Sequence, residues 1–171
     1  MAEIKSTLDL IMEKTKGMTM TDEEKRAFKE KETTEKVKGL IQRYLDGFMD
    51  LERLRMEITA FEDNQREFVR HTIIEDLISM IGLGKDNRLL WEVLEKICSI
   101  RTVSLKEELD RVEQELSRKR SIYEKEMMND FNSRGISGSA VMPNIDSYPV
   151  WLAFQSGKET EFKERTLKIL L

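Results

Sequence analysis

The sequence holds a single cysteine, Cys98, so neither an intrachain disulfide framework nor a multi-cysteine zinc site can be built from it. It holds a single histidine, His71, which rules out any arrangement within one chain that needs two. Only two prolines occur, the first at Pro143, so nothing forces a helix to break over most of the chain. Aromatic residues are scarce at 7%, and no run approaches the ~20 apolar residues of a membrane span. The first residues, MAEIKSTLDLIMEKTKG, lack a basic start followed by an uninterrupted apolar core, so they do not read as a secretory signal. These absences point to a cytoplasmic protein with no membrane association.

Charge, by contrast, is plentiful. Acidic and basic residues make up 36% of 171 residues, well above the roughly 25% of ordinary globular proteins, and favour an elongated shape. The net charge is only −4 and the signs are interspersed, which leaves no counterion-release handle for a polyanion. Nucleic acid is therefore not an expected partner. The densest basic cluster, Arg118 to Arg120, sits among glutamates and reads as a solvated helix face. A hydrophobic content of 39% with clear periodicity argues against disorder. The expected fold is all-α, one elongated domain over residues 1–171.

Its parts follow from caps and periods. Residues 1–20 read as an N-terminal helix, with Leu8, Ile11 and Met12 on one face and Gly17 as the stop. Thr21 and Glu24 then form a capping-box signature. A helical pattern continues to about Ile81 through Val37, Leu40, Tyr44, Gly47, Leu51, Leu54, Ile58, Phe61, Gln65 and Phe68, steps of three and four that suit a coiled-coil seam. Asp63 and Asn64 mark the expected kink. Residues 82–87, GLGKDN, supply the glycines of an interhelical turn. A second pattern runs to about Phe131, with Leu105, Leu109, Val112, Leu116, Lys119 and Tyr123 continuing the heptad. Ser104 and Glu107 allow a local restart there.

Two long helices with a short connection should fold back as an antiparallel hairpin over 21–132. In the expected register Ile58 meets Val112, Phe61 meets Leu109, Leu54 meets Leu116, and small Gly47 faces large Tyr123. The first helix then overhangs the second, and would span on the order of 90 Å if unbroken. Around the turn the apolar stripe is too wide for one hairpin, from Val69 to Ile81 and from Leu90 to Val103. A second copy packing there, as a homodimer, is the expected way to cover it.

The C-terminal part divides into a Gly/Ser/Pro loop over 133–147 and a segment over 148–171. That segment is read as helices begun by Ser147–Pro149 and by Ser156, with Phe162, Thr166 and Ile169 on one face. A β-hairpin is the alternative. Short N- and C-terminal helices would cover the base, where Trp151 and Phe154 act as core plugs.

Little of this carries chemistry. Glu67, His71 and Glu75 lie at i, i+4 and i+8, a metal-compatible face, yet no Glu-x-x-His motif accompanies them. A solvated face explains them as well, so they are weak metal candidates only. No nucleophile elbow of the form G-x-S-x-G exists. Cys98 reads as a small buried hydrophobe. Neither a cofactor nor catalysis is expected.

One stretch stands apart: RGISGSAVMPNID, Arg134 to Asp146. A phosphate loop needs G-x-x-x-x-G-K-[ST] between strand and helix, and here no lysine follows the glycines. Gly135 suits a left-handed helix stop and Pro143 bars further helix. Gly135, Ser137, Gly138, Ser139, Pro143 and Asn144 remain candidates for an interaction loop, because small side chains let a partner's backbone approach.

EIKSTLDLIMEKTKGMTMTDEEKRAF and RGISGSAVMPNID resemble a family of uncharacterised bacterial helical, coiled-coil proteins, the similarity covering most of the chain. That resemblance implies a bacterial cytosolic origin and brings no activity or site residue. Three functions follow from the residues. The first is a non-enzymatic coiled-coil adaptor or assembly factor that self-associates and binds a protein partner. The second is a small-ligand or anion binder using the 134–146 loop with Lys29, Lys31 and Lys36. The third is a metal-dependent helical-bundle enzyme.

Overall fold

A computed structural model describes residues 21–171. The expected N-terminal helix lies outside the described residues. Among those described there are six α-helices and no strand: α1 (Asp22–Leu45), α2 (Leu51–Thr59), α3 (Arg66–Met80), α4 (Arg88–Lys96), α5 (Val103–Ser133) and α6 (Pro149–Leu170). No helix among them is long and apolar enough to cross a membrane.

The start of α1 is the one its sequence announces. The Thr21 hydroxyl accepts the Glu24 N–H at 3.1 Å, while the Glu24 carboxylate accepts the Thr21 N–H at 2.7 Å. Its end is different from expectation. Gly47 was expected in a seam, but it adopts φ +77° and stops the helix. Phe48 N–H donates to the Arg43 carbonyl and Gly47 N–H to the Tyr44 carbonyl, the paired bonds of a Schellman cap. Asp50 then caps α2 by accepting the Arg53 N–H at 2.7 Å. A 3₁₀ turn over Asp63–Gln65, at the expected kink, breaks the chain again. One expected 60-residue helix is thus three.

These breaks set the path. Lys29 pairs with Glu62, Gln65 donates to Thr33, and Lys38 pairs with Asp76, so both members of each pair advance together. Helices α1 and α3 therefore run in the same direction, with α2 returning between them. The charged start of α1 is not an overhang beside the Gly-rich loop; it lies against residues 61–65.

Helix α3 is the centre of the fold. It packs on α1, α4 and α6. Val69, Ile73, Ile74, Leu77 and Ile78 are each at most 2% exposed, directions no single partner helix could cover. Leu90, Trp91, Val93 and Leu94 of α4 join the same core, as do Leu105 and Leu109 of α5. The apolar excess that called for a second copy is thus buried largely within one chain, Val103 being an exposed exception.

The turn at 82–87 forms as expected but is held by a side chain. Asn87 accepts the Gly82 N–H at 3.1 Å and donates to the Gly82 carbonyl at 2.9 Å, both bonds buried. The second expected helix also breaks. Ser99 takes φ +56°, and α5 begins only after Thr102, whose hydroxyl pairs with Glu95. Cys98 is buried there, and loss of water pushes its thiol up to about 11.

Helix α5 does form an antiparallel pair, but with α6. Glu108 pairs with Arg165, and Glu115, one heptad on, pairs with Lys158, one heptad back. Lys119 then reaches Phe154, and Tyr123 packs edge-on against Trp151. The expected Gly47–Tyr123 contact is absent, since Gly47 closes a turn and Tyr123 belongs to this aromatic group. The C-terminal segment is neither two helices nor a β-hairpin. It is one helix that starts at Pro149 and continues through Gly157. Phe162 and Thr166 are buried as expected, but Ile169 is 68% exposed and Leu170, four residues after Thr166, packs inward.

Candidate functional site

The loop over 134–146 is the connection of the α5–α6 hairpin. Helix α5 ends in a second Schellman cap: Gly135 has φ +77°, Ile136 N–H donates to the Phe131 carbonyl, and Gly135 N–H donates to Asn132. At the far end Ile145 is 2% exposed, wedged with Leu116 and Trp151. Beside it Asp146 receives a two-pronged ion pair from Arg120, at 2.7 and 3.2 Å. This contact holds the Asp146 carboxyl below the usual carboxylate range.

Between these anchors the chain is solvated. Gly135, Ser137, Gly138, Ser139 and Asn144 are exposed and Pro143 is half-buried. Ile136 is 48% and Met142 84% exposed, apolar side chains with little intramolecular cover. Gly138 at φ +141° allows the tight bend closed by Val141 N–H on the Gly138 carbonyl.

Arg120 was expected on a solvated face. Instead it stands at the junction of loop and helix pair, bonded to Asp146 and Glu124 and lying 5.9 Å over the Trp151 ring. Nothing in the local pattern marks it, because its key partner lies 26 residues away. Trp151 is a core plug, 3% exposed, in a cluster with Tyr123, Tyr148 and Phe154. A cleft of about 260 Å³ opens beside it, between α5, α6 and the 82–87 turn.

The other candidates do not converge on this place. Lys29 is paired with Glu62 and Lys36 lies 4.9 Å over Phe61, so neither joins the loop in an anion site. Glu67 and Glu75 are exposed on α3 with His71 half-buried between them. Among the described residues no three histidine, cysteine or carboxylate side chains gather closely enough to hold a metal ion.

Comparison with known proteins supplies no relative: no protein-family profile matches the sequence, and neither the curated proteins nor the solved structures contain a match. Nothing there names a family for the resemblance carried by the two quoted stretches.

Proposed function

We propose that the protein is a non-enzymatic helical module that binds a protein partner through the 134–144 loop, as an adaptor or assembly factor, and that it also associates with itself. The observation that carries this reading is the loop's construction: exposed Ile136 and Met142 sit on a segment fixed at both ends, by the Gly135 cap and by the Ile145–Asp146 anchor. A loop presented on a rigid scaffold loses less entropy on binding than a free one. Exposed apolar side chains give a partner area to bury. Self-association in a coiled-coil manner draws on the end of α5, where Ile122 is 47% exposed and Met128 and Phe131 are half-buried.

The test places a photocrosslinking residue at Met142 and, as a control, at exposed Ile169. A discrete partner captured from Met142 alone, and lost in the double variant Ile136→Ser, Met142→Ser with unchanged helicity, supports the reading. Equal capture from both positions refutes it. Light scattering at micromolar concentration tests self-association, and a monomer removes that part.

A further inference from the structure

The cleft beside Trp151 has an order that its residue types define. On α5, Glu113, Leu116 and Arg120 are spaced three and four apart, so they share one face over two helical turns. At 1.5 Å per residue, the backbones of Glu113 and Arg120 stand roughly 10 Å apart along the helix. Leu116 lies between them. Across the cleft α6 contributes Trp151 and, one turn on, Gln155, while the 82–87 turn adds Leu83. The result is an apolar trough with a carboxylate near one end and a guanidinium near the other.

Both charges retain capacity. Glu113 uses Oε1 to accept the Gly84 N–H at 2.8 Å, leaving Oε2. Arg120 gives Glu124 its Nε hydrogen and Asp146 one hydrogen from each terminal nitrogen, and each of those terminal nitrogens carries a second. Its partner Asp146 is 71% exposed, and a surface ion pair of this kind is cheap to share or displace.

We propose that this trough binds a short zwitterion of dipeptide size with apolar side chains, its ammonium on Glu113 and its carboxylate on Arg120. A simple anion meets Glu113, and a simple cation meets Arg120, so neither matches both ends. A single amino acid carries both charges on one carbon and cannot bridge the separation. Leu83, Leu116 and Trp151 cover the apolar body, and the Gln155 amide is suited to the peptide group. At about 260 Å³ the cleft is smaller than a drug-sized pocket and fits a ligand of this scale. The inference does not rest on the partner proposed for the loop, although both use the Arg120–Asp146 pair.

Calorimetric titration of the full chain with L-leucyl-L-leucine, its N-acetyl form, its C-terminal amide and L-leucine tests it. The expected result is binding of the free dipeptide, weakened tenfold or more by blocking either end and equally weak for L-leucine. Glu113→Gln should weaken the free dipeptide but leave the N-acetyl form unchanged, and Arg120→Gln should do the same with respect to the amide. Asp146→Asn keeps Arg120 and removes its competitor, so it should bind the dipeptide at least as tightly. This last variant separates loss of the ligand contact from loss of the loop anchor. No binding by the dipeptide, equal affinity for blocked and free forms, or L-leucine binding as tightly as the dipeptide would each overturn the proposal.

Discussion

Asp76 is the least comfortable residue in the core, and neutralising it should stabilise the protein. Its side chain is 7% exposed, and among the described residues its sealed Oδ2 has no hydrogen-bond partner and its one counter-charge is Lys38, 3.7 Å away and itself 55% exposed. A half-solvated lysine at that distance returns about 1 kcal/mol or less. Taking a carboxylate out of water costs several kcal/mol. Burial wins, and the Asp76 carboxyl is pushed above its ordinary range despite the pull of Lys38. Asp76→Asn keeps the shape and removes the charge, so a gain of about 1 kcal/mol at neutral pH is expected, or a melting temperature roughly 2–4 °C higher.

The pH dependence fixes the sign independently. With a raised value in the folded state, the folded chain holds this proton more tightly than the unfolded chain. The favourable contribution is complete below the unfolded aspartate value of about 3.9 and is lost as pH rises through the folded value. The gap between Asp76→Asn and the parent should therefore be open at neutral pH and close toward about pH 4. Urea unfolding followed by circular dichroism at both conditions measures it. A variant less stable than the parent at neutral pH, or a gap that does not change with pH, would refute the argument and make Lys38–Asp76 a net favourable pair.

Two glycines should respond to alanine with opposite signs. Gly39 lies inside α1 with open space around a would-be Cβ, so Gly39→Ala should stabilise by about 0.5–1 kcal/mol, whereas Gly47→Ala, at φ +77°, should cost about 1–2 kcal/mol; thermal melts distinguish them. Asn87→Ala removes both buried bonds to Gly82 and should cost about 2 kcal/mol by urea unfolding. Cys98, 4% exposed with its thiol pushed up to about 11, should resist a thiol reagent at neutral pH until denaturant is added; rapid native labelling would contradict its burial.

Local signals were legible where the physics is local. The Thr21–Glu24 box, the Gly135 stop and the turn at 82–87 each depend on residues within six positions of one another, and each occurs where the sequence places it. The faces of α5 were legible too, since Leu105, Leu109 and Leu116 are buried. Their partner was not. A heptad pattern says which side of a helix is apolar and not which other helix covers it, and α6 was as eligible as residues 51–68. The same limit hid the part of the candidate site that Arg120 supplies, although the loop itself stood out. Arg120 has the surroundings of a surface arginine, and only the return of the chain at Ile145 gives it Asp146 and the Trp151 ring. The break before α5 was announced only in part: Ser104 and Glu107 allowed a restart, which occurs at Val103 without the Ser104 cap, but the turn that precedes it carries no marker. Ser99 holds a left-handed conformation without a glycine to announce it.

Gly47 and Gly135 decide between a rod and a folded bundle. Both stop a helix by the same pair of backbone bonds, yet only Gly135 stands in a stretch with further breakers around it. Gly47 sits in an apolar series of correct spacing, where a helical period predicts continuation. What the period leaves out is the fate of α3. Helix α3 buries Val69, Ile73, Ile74, Leu77 and Ile78, a face too broad for one neighbour, and a straight helix from 22 to 80 would deny that face α1. Reversal at Gly47 and again at 60–65 lays α3 beside α1, so that Val37, Leu40 and Ile41 share a core with Ile73, Ile74 and Leu77. The surplus of apolar directions in α3 was itself the signal that the helix before it had to turn. A narrow seam can run indefinitely along a rod, but a helix with an apolar face as broad as that of α3 needs several neighbours, and reversals of direction are what bring α1 to it.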